Sequence, residues 1–267
     1  ASHMPTTTTP SAKRLILSLM AAPELDRVPV STLLLWGQLF DIDAPTIRVT
    51  VGRLLRQGVL ASPSRGVYEI GLEGKLLADT ARGWIRAENR IVDWQGNWLL
   101  VHTAHLGRSN KTALRARERA FRLNGFASWQ QGLYCRPANL NQTPMETRKQ
   151  LLRLGLEDGA IVIKANDLPG TRPRDLQKLW PRKALESAYR NHIKAMQKSI
   201  SRLPGLSIPE AARESMHIGE AVIRQVTSDP MLPEQMVDST SRRQMIELMI
   251  EYDSFGRDIW RQLIDQA

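Results

Sequence analysis

Apolar residues recur along this chain at helical spacing, then at strand spacing, then at helical spacing again, and the changes of period mark three stretches. In the first, Leu15, Ile16 and Met20 fall on one face of a helix over Ser11–Ala22, and a second, Leu-rich helix over Val30–Phe40 is capped by Ser31. Asp43 ahead of Ala44 and Pro45 is a helix start, an N-cap carboxylate followed by proline in the first turn. The helix it opens, Pro45–Gln57, gathers Ile47, Val51, Leu54 and Leu55 on one face, and Gly58 stands where a left-handed C-cap residue belongs. Strand-like runs at Val59–Ser62 and Val67–Ile70 flank Pro63-Ser64-Arg65-Gly66 and predict a hairpin. Three helices and a hairpin, in that order, predict a winged helix-turn-helix domain over residues 11–88.

The middle stretch has the order β-α-β-β-α-β. Trp98–Thr103 is a buried-strand run, Asn110–Leu123 a strongly basic helix, and Ala127–Arg136 two short strands kinked at Gly132. Thr143-Pro144, with Glu146 placed for a capping box, opens a helix to Leu154, and Ala160–Ala165 is the last strand. This order predicts a ferredoxin-like (split βαβ) middle domain over residues 91–168. The proline- and glycine-rich Pro169–Pro173 reads as a boundary. Beyond it, Leu185, Tyr189, Ile193, Met196 and Ile200 mark a helix over Arg182–Ser201; Ile208–Val226 and Arg242–Ile264 are two more, separated by Pro230 and Pro233. The expected class is therefore α+β, closing with an all-helical C-terminal domain over residues 174–267.

Of the 267 residues, 42% are hydrophobic and 24% charged, which excludes wholesale disorder and collagen-like repeats. Lys and Arg number 37 against 27 Asp and Glu, a formal +10 that favours polyanionic partners. The excess is +3 over residues 1–90, +5 over 91–170 and +2 over 171–267, so no basic tail dominates and a recognition surface must be local and folded. Cys135 is the sole cysteine, which precludes an intramolecular disulfide and points to a reducing cytoplasm. The apolar run Leu15–Ala22 is broken by Ser18 and far too short to span a membrane. Ala1-Ser2-His3 ahead of Met4 reads as a vector remnant, and Pro5–Pro10 as a disordered lead-in.

With its apolar face buried, the Pro45–Gln57 helix would present Thr46, Arg48, Thr50, Arg53 and Arg56 outward. Such a row suits the DNA major groove: arginine donates two hydrogen bonds to guanine or reaches phosphate, and threonine offers a hydroxyl and a methyl. Gly52 on that face would permit close backbone approach. Arg65 at the hairpin tip would enter the minor groove, with Tyr68 against the sugar-phosphate chain. Asp41, Asp43 and Glu69 lie close to this surface and would repel phosphate unless paired. The bland alternative is a solvated amphipathic helix.

Residues 28–71, with Leu39–Asp43 as the turn, the Thr46–Leu55 helix, Arg56–Leu60 after it and Ser64–Tyr68 in the wing, resemble the GntR-type winged helix. Further on, Trp98–Val101, Leu114–Arg117, Gly125-Phe126, Gly132–Pro137, Leu179-Trp180 and Asp229–Pro233 are similar to the PaaX family of repressors, so that the resemblance runs from about residue 12 to 265. It implies a dimeric transcriptional repressor of an aromatic-compound catabolic operon, bound to double-stranded operator DNA. Release by an aryl-CoA thioester, phenylacetyl-CoA in the founding case, is part of the same expectation. For such an effector, Arg108, Lys111, Arg115, Arg117, Arg119 and Arg122 on the basic helix would hold a phosphate, while Trp94, Trp98, His102 and Trp129 would line an aryl pocket. Equally, the basic helix is a solvated face or second DNA contact and the tryptophans are core. Met216, Met245 and Met249 read as core, and the C-terminal helices as candidates for dimerisation.

Catalysis finds little support. A metal-dependent nuclease needs a carboxylate near the first strand of the sandwich, and Trp94–Arg117 contains neither Asp nor Glu. His102 and His105 would project to different faces of a strand with no third ligand, and Gly71–Lys75 has the wrong spacing for a phosphate loop. The expectation is a non-enzyme without metal or cofactor; the rival classes are a nuclease-like nucleic-acid-processing protein and a constitutive architectural DNA-binding module.

Overall fold

A computed structural model describes residues 10–20 and 25–265. Ala1–His3, all of the Pro5–Pro10 lead-in but Pro10, and Ala21 and Ala22 of the first expected helix lie outside them. The chain is a mixed α+β protein with two small antiparallel sheets and a helical C-terminal region. It divides into two compact units. One holds the chain up to Gly83 with Met196–Glu220 and the residues from Ile250 on; the other holds Trp84–Ala195 and Ala221–Met249.

In the first unit, α1 (Ala12–Met20), α2 (Val30–Leu39) and α3 (Ala44–Arg56) precede β2 (Leu60–Ser64), β3 (Val67–Ile70) and α4 (Leu72–Ala81), with β1 (Val28–Pro29) ahead of α2. Asp43 caps α3 as expected: its Oδ1 accepts the Thr46 N–H at 2.7 Å, and Gly58, at φ +69°, ends the helix. Ser31 is not a cap. Pro29 holds the N-cap position of α2 without a side-chain bond, because its fixed φ and its pairing with Val67 already set the chain's entry. Strand β1 joins the hairpin in the order β1-β3-β2, with Val28 opposite Tyr68 and Leu60 opposite Ile70. Helix α4 lies against the hairpin so closely that a Cβ on Gly74 would stand 2.2 Å from the Val59 carbonyl oxygen.

Leu15, Ile16, Leu33, Trp36, Ile47 and Leu54 fill this core, each contributing roughly 1.5–3 kcal/mol by burial. The C-terminal helices complete it. Trp260 of α10 (Ser239–Asp265) meets Trp36 edge-on at 5.9 Å and stacks on Phe40 at 6.0 Å, and Ala212 and Met216 of α9 (Ile208–Ser228) join the same cluster. The helices expected to form a separate domain over 174–267 are thus shared between the units: α8 (Arg182–Arg202) changes unit at Met196, α9 after Glu220 and α10 after Met249. At about 1.5 Å per residue these helices are about 30–40 Å long, enough to give apolar faces to two cores.

The second unit is built on β4 (Trp98–His102), α5 (Lys111–Leu123), β5 (Ala127–Gln130), β6 (Leu133–Pro137), α6 (Pro144–Arg153) and β7 (Ile161–Ala165), followed by the short α7 (Pro173–Gln177). The four strands order β5-β6-β4-β7, every neighbour antiparallel; Leu100 of β4 faces Cys135 on one side and Ile163 on the other. Leu99 and Val101 pack with Phe121 of α5 and Leu151 of α6, which places both helices on one face of the sheet. The capping box at Thr143 and Glu146 forms as read.

The segment after α9 is pinned by polar groups. The Tyr189 hydroxyl donates to Asp229 Oδ2 at 2.6 Å, the Met231 N–H to Asp229 Oδ1 at 2.9 Å, and Asn139 Nδ2 to the Met231 carbonyl at 2.8 Å. Arg242 bonds Glu88 at 2.7 Å and the Leu232 carbonyl at 2.6 Å. Arg136, 4% exposed, meets no carboxylate among the described residues; it donates to the Pro137, Asn124 and Pro230 carbonyls and to Asn139 Oδ1. Burial and the charge of Arg90 push its guanidinium down to about 9, still protonated at neutral pH.

Candidate nucleic-acid interface

Helix α3 buries Ile47, Val51 and Leu54 and half-buries Leu55, so Thr46, Arg48, Arg53 and Arg56 are exposed together. Thr50 is not with them. It is 5% exposed, because positions 47, 50, 51 and 54 share one face at 3.6 residues per turn. Its expected place is taken by Val49, 72% exposed, which the sequence reading assigned to neither face. A helical wheel alone would have found it, between Arg48 and Arg53 on the outward face. Gly52 is half-buried, and a Cβ there would meet only Arg56 Nη1, at 3.8 Å, so the backbone is approachable.

Arg65 is exposed at the hairpin tip, where Gly66 takes φ +76° to close the turn. Tyr68 is half-buried, its ring packed against the first unit's core. Among the described residues, no carboxylate pairs with Arg48, Arg53, Arg56 or Arg65. Two of the three acids near this surface are engaged. Asp43 serves as the cap, its hydrogen bonds with Thr46 holding the carboxyl below its usual range, and Glu69 pairs with Arg27 at 3.5 Å. Asp41 is exposed at φ +55°. The face of α3 is therefore strongly electropositive, with a short apolar centre at Val49.

The effector residues do not converge. Trp98 is 3% exposed, stacked on Trp180 at 6.2 Å and met edge-on by Trp94 at 5.3 Å, and so lines no open pocket. Arg117 is 3% exposed and spent on Glu157, 2.6 Å away, and on the Gly107 carbonyl; hydrogen bonding with Glu157 raises its pKa. Lys111, Arg115, Arg119 and Arg122 are exposed and Trp129 is half-buried on β5. Of the proposed effector set, Arg108 and the already engaged Arg117 line one cavity, about 450 Å³, with Thr103, Gly107, Leu114 and Tyr134. Burial keeps the Tyr134 phenol protonated, raising its pKa. His102 and His105 were expected on opposite faces; instead β4 ends at His102, a tight turn over Ala104–Leu106 follows, and the rings stack 5.2 Å apart. Among the described residues, no group of three or more His, Cys, Asp or Glu is placed to hold a metal, and no helix is long and apolar enough to cross a membrane.

No protein-family profile matches the chain, and no curated protein matches it. Among solved structures, it is similar to uncharacterized protein Rv0674 from Mycobacterium tuberculosis, at TM-score 0.64 and 19% identity, over 94% of this chain and 99% of that one. Identity at that level carries a shared fold and nothing about activity.

Proposed function

We propose that the protein is a sequence-specific DNA-binding transcriptional repressor that reads the major groove with α3 and reaches the flanking minor groove with the β2–β3 hairpin. The observation that carries this reading is the freedom of Arg48, Arg53, Arg56 and Arg65: four guanidinium groups on the exposed face of one helix and on the adjoining hairpin tip, none paired with a carboxylate among the described residues. Their hydrogen-bonding capacity is unspent, as contacts to phosphates and guanine edges require. In the same reading, the three helices and three-stranded sheet are a winged helix, and the β5-β6-β4-β7 order with its two helices on one face is a ferredoxin-like sandwich.

Two copies would set their α3 helices in successive major grooves, about 34 Å apart, on a palindromic operator. In this reading the PaaX-like pattern supports an operon of aromatic-compound catabolism and a small aromatic effector such as an aryl-CoA thioester, and the single cysteine supports a cytoplasmic location. Arg108 and the cavity beside it are the place this reading favours for the effector's anionic end; Trp98 is excluded by its packing. Release requires that the effector bind one dimer geometry more tightly than the other. The reading assigns no catalysis.

A gel shift with the DNA flanking the protein's own gene, in excess competitor, tests it, first alone and then with aromatic acids and their CoA thioesters. Specific retention, abolished by one thioester, is the expected result. Retention indifferent to sequence points to an architectural module, and divalent-metal-dependent cleavage points to a nuclease.

A further inference from the structure

The two edges of the second unit's four-stranded sheet differ. On one edge, β5 has only four residues and slips register between Ser128 and Gln130, an irregularity that blunts an edge against further pairing. On the other, β7 pairs with β4 through five consecutive residues, Ile161 to Ala165, without a slip. Its sequence, Ile-Val-Ile-Lys-Ala, contains no Pro or Gly and one charge. Ile161 is 51% exposed and Ile163 45% exposed, on the face opposite the helices, and among the described residues no hydrogen bond joins the β7 backbone to anything beyond β4. A regular, β-branched, nearly uncharged edge with exposed isoleucines is a template for another strand.

We infer that β7 is an interface between two copies of this chain, pairing antiparallel with itself about a twofold axis at Ile163 and joining the two four-stranded sheets into one. The strand is its own complement. In that register Ile163 faces Ile163 of the partner subunit, Ile161 faces Ala165 of the partner subunit, and Val162 faces Lys164 of the partner subunit. The apolar stripe is continuous across the axis, and each copy's only strand charge lies against a valine, so no like charges meet directly. Each pairing joins two positions of like parity, so the register fits whichever residues of β7 point their N–H and C=O groups outward. A parallel in-register partner would instead set lysine beside lysine. This interface supplies the dimer that the two-reader proposal needs, and for that use it rests on that proposal, but its test involves no DNA, so the two can fail separately.

Cross-linking of the full chain reads the register directly. Paired Cα atoms in an antiparallel ladder are about 4.5 or 5.5 Å apart. That is within the roughly 4.4–6.8 Å a disulfide spans. Ile163→Cys should therefore oxidise to a covalent dimer, whereas Ile161→Cys alone should stay monomeric on a reducing-agent-free gel, its two copies lying about 13 Å apart along the strands. A mixture of Ile161→Cys and Ala165→Cys should cross-link, which retains the test if Ile163→Cys folds poorly. Native Cys135 stays silent, being fully buried with its thiol pushed up to about 12. Light scattering should give twice 30.2 kDa for the wild type and a loss to one chain for Ile163→Lys, with unchanged circular dichroism. A monomeric wild type, a dimer that survives Ile163→Lys, or equal cross-linking of Ile163→Cys and Ile161→Cys would overturn the inference.

Discussion

Arginine-to-alanine substitutions at 48, 53, 56 and 65 separate the proposed DNA recognition from folding, because none of these side chains is hydrogen-bonded or ion-paired among the described residues. Each should change unfolding stability by no more than about 0.5 kcal/mol, as for surface sites without structural partners. On DNA the consequences are larger and of two kinds. A guanidinium on phosphate contributes about −0.9 to the slope of log affinity against log salt, so the four of each reader, doubled in a dimer, bound the slope near −7. Removing one phosphate-bound arginine from both readers should flatten it by about 2, uniformly across sequences. Removing one that grips a guanine should instead cost about 1–3 kcal/mol per reader, roughly 5- to 150-fold, and relax specificity at one base. Arg48 and Arg53 flank the exposed Val49 at the centre of the face, so they are expected in the second class, and Arg65 at the hairpin tip in the first. Fluorescence anisotropy on one operator and on single-base variants, between about 50 and 200 mM salt, distinguishes the two. A double Arg48→Ala and Arg53→Ala protein that folds normally and retains both affinity and slope would refute the assignment of α3 as the reader.

Trp260→Ala should destabilise the first unit by about 3–5 kcal/mol in urea unfolding, since the indole is 7% exposed between Trp36 and Phe40. DNA binding should fail at the same urea concentration, although the residue lies over 200 positions from α3. Arg136→Met should cost about 3–5 kcal/mol by the same assay, as it orphans the carbonyls of Asn124, Pro137 and Pro230 together. His192 gives a pH signature: burial lowers its pKa below its ordinary 6.5, so the unfolded chain binds that proton more readily. Stability should therefore fall as the pH drops through and below 6.5, and a His192→Gln protein should lose that component of the melting-temperature profile.

The elements read from periodicity were those whose start and stop are chemical. Asp43 and Thr143 act as the caps expected of them, Asn110, read only as the start of its helix, caps it through the Thr112 and Ala113 amides, and Gly58 and Gly66 take the left-handed conformations their turns require. Strand β1 escaped because two residues carry no period; its existence depends on β3, forty residues on. Helix α4 escaped for a different reason. Its inward contacts are Gly71 and Gly74, whose value lies in the absence of a side chain, while Leu72, Leu76 and Leu77 are outside. A hydrophobic pattern cannot show such a packing face. The three C-terminal helices were located by their pattern, but the pattern records only that a face is buried; which core buries it at each end, as Trp260 in the first unit and Arg242 in the second, is decided by tertiary contacts.

For the candidate site the decisive property is also invisible in composition. Arginines are alike in a sequence, and a charge of +10 counts them equally. In the fold they separate by what their guanidinium groups meet. Arg117, Arg148 and Arg242 are neutralised by Glu157, Asp158 and Glu88; Arg136 is enclosed by carbonyl oxygens. The sequence reading gave Arg117 to a ligand because a basic helix begins near it, yet a carboxylate forty residues away had already claimed it. Arg48, Arg53, Arg56 and Arg65 have no such partner among the described residues, while two nearby acids are consumed by a cap and by Arg27. An unpartnered arginine row on a helix whose other face is fully buried is free to meet an external anion, and the 3.6-residue phase that buried Thr50 brought Val49 out among the charges. That apolar residue can reach a thymine methyl, a contact that a purely electrostatic surface would not supply, so Val49→Asp should weaken binding most at sites where an A·T pair lies beneath it.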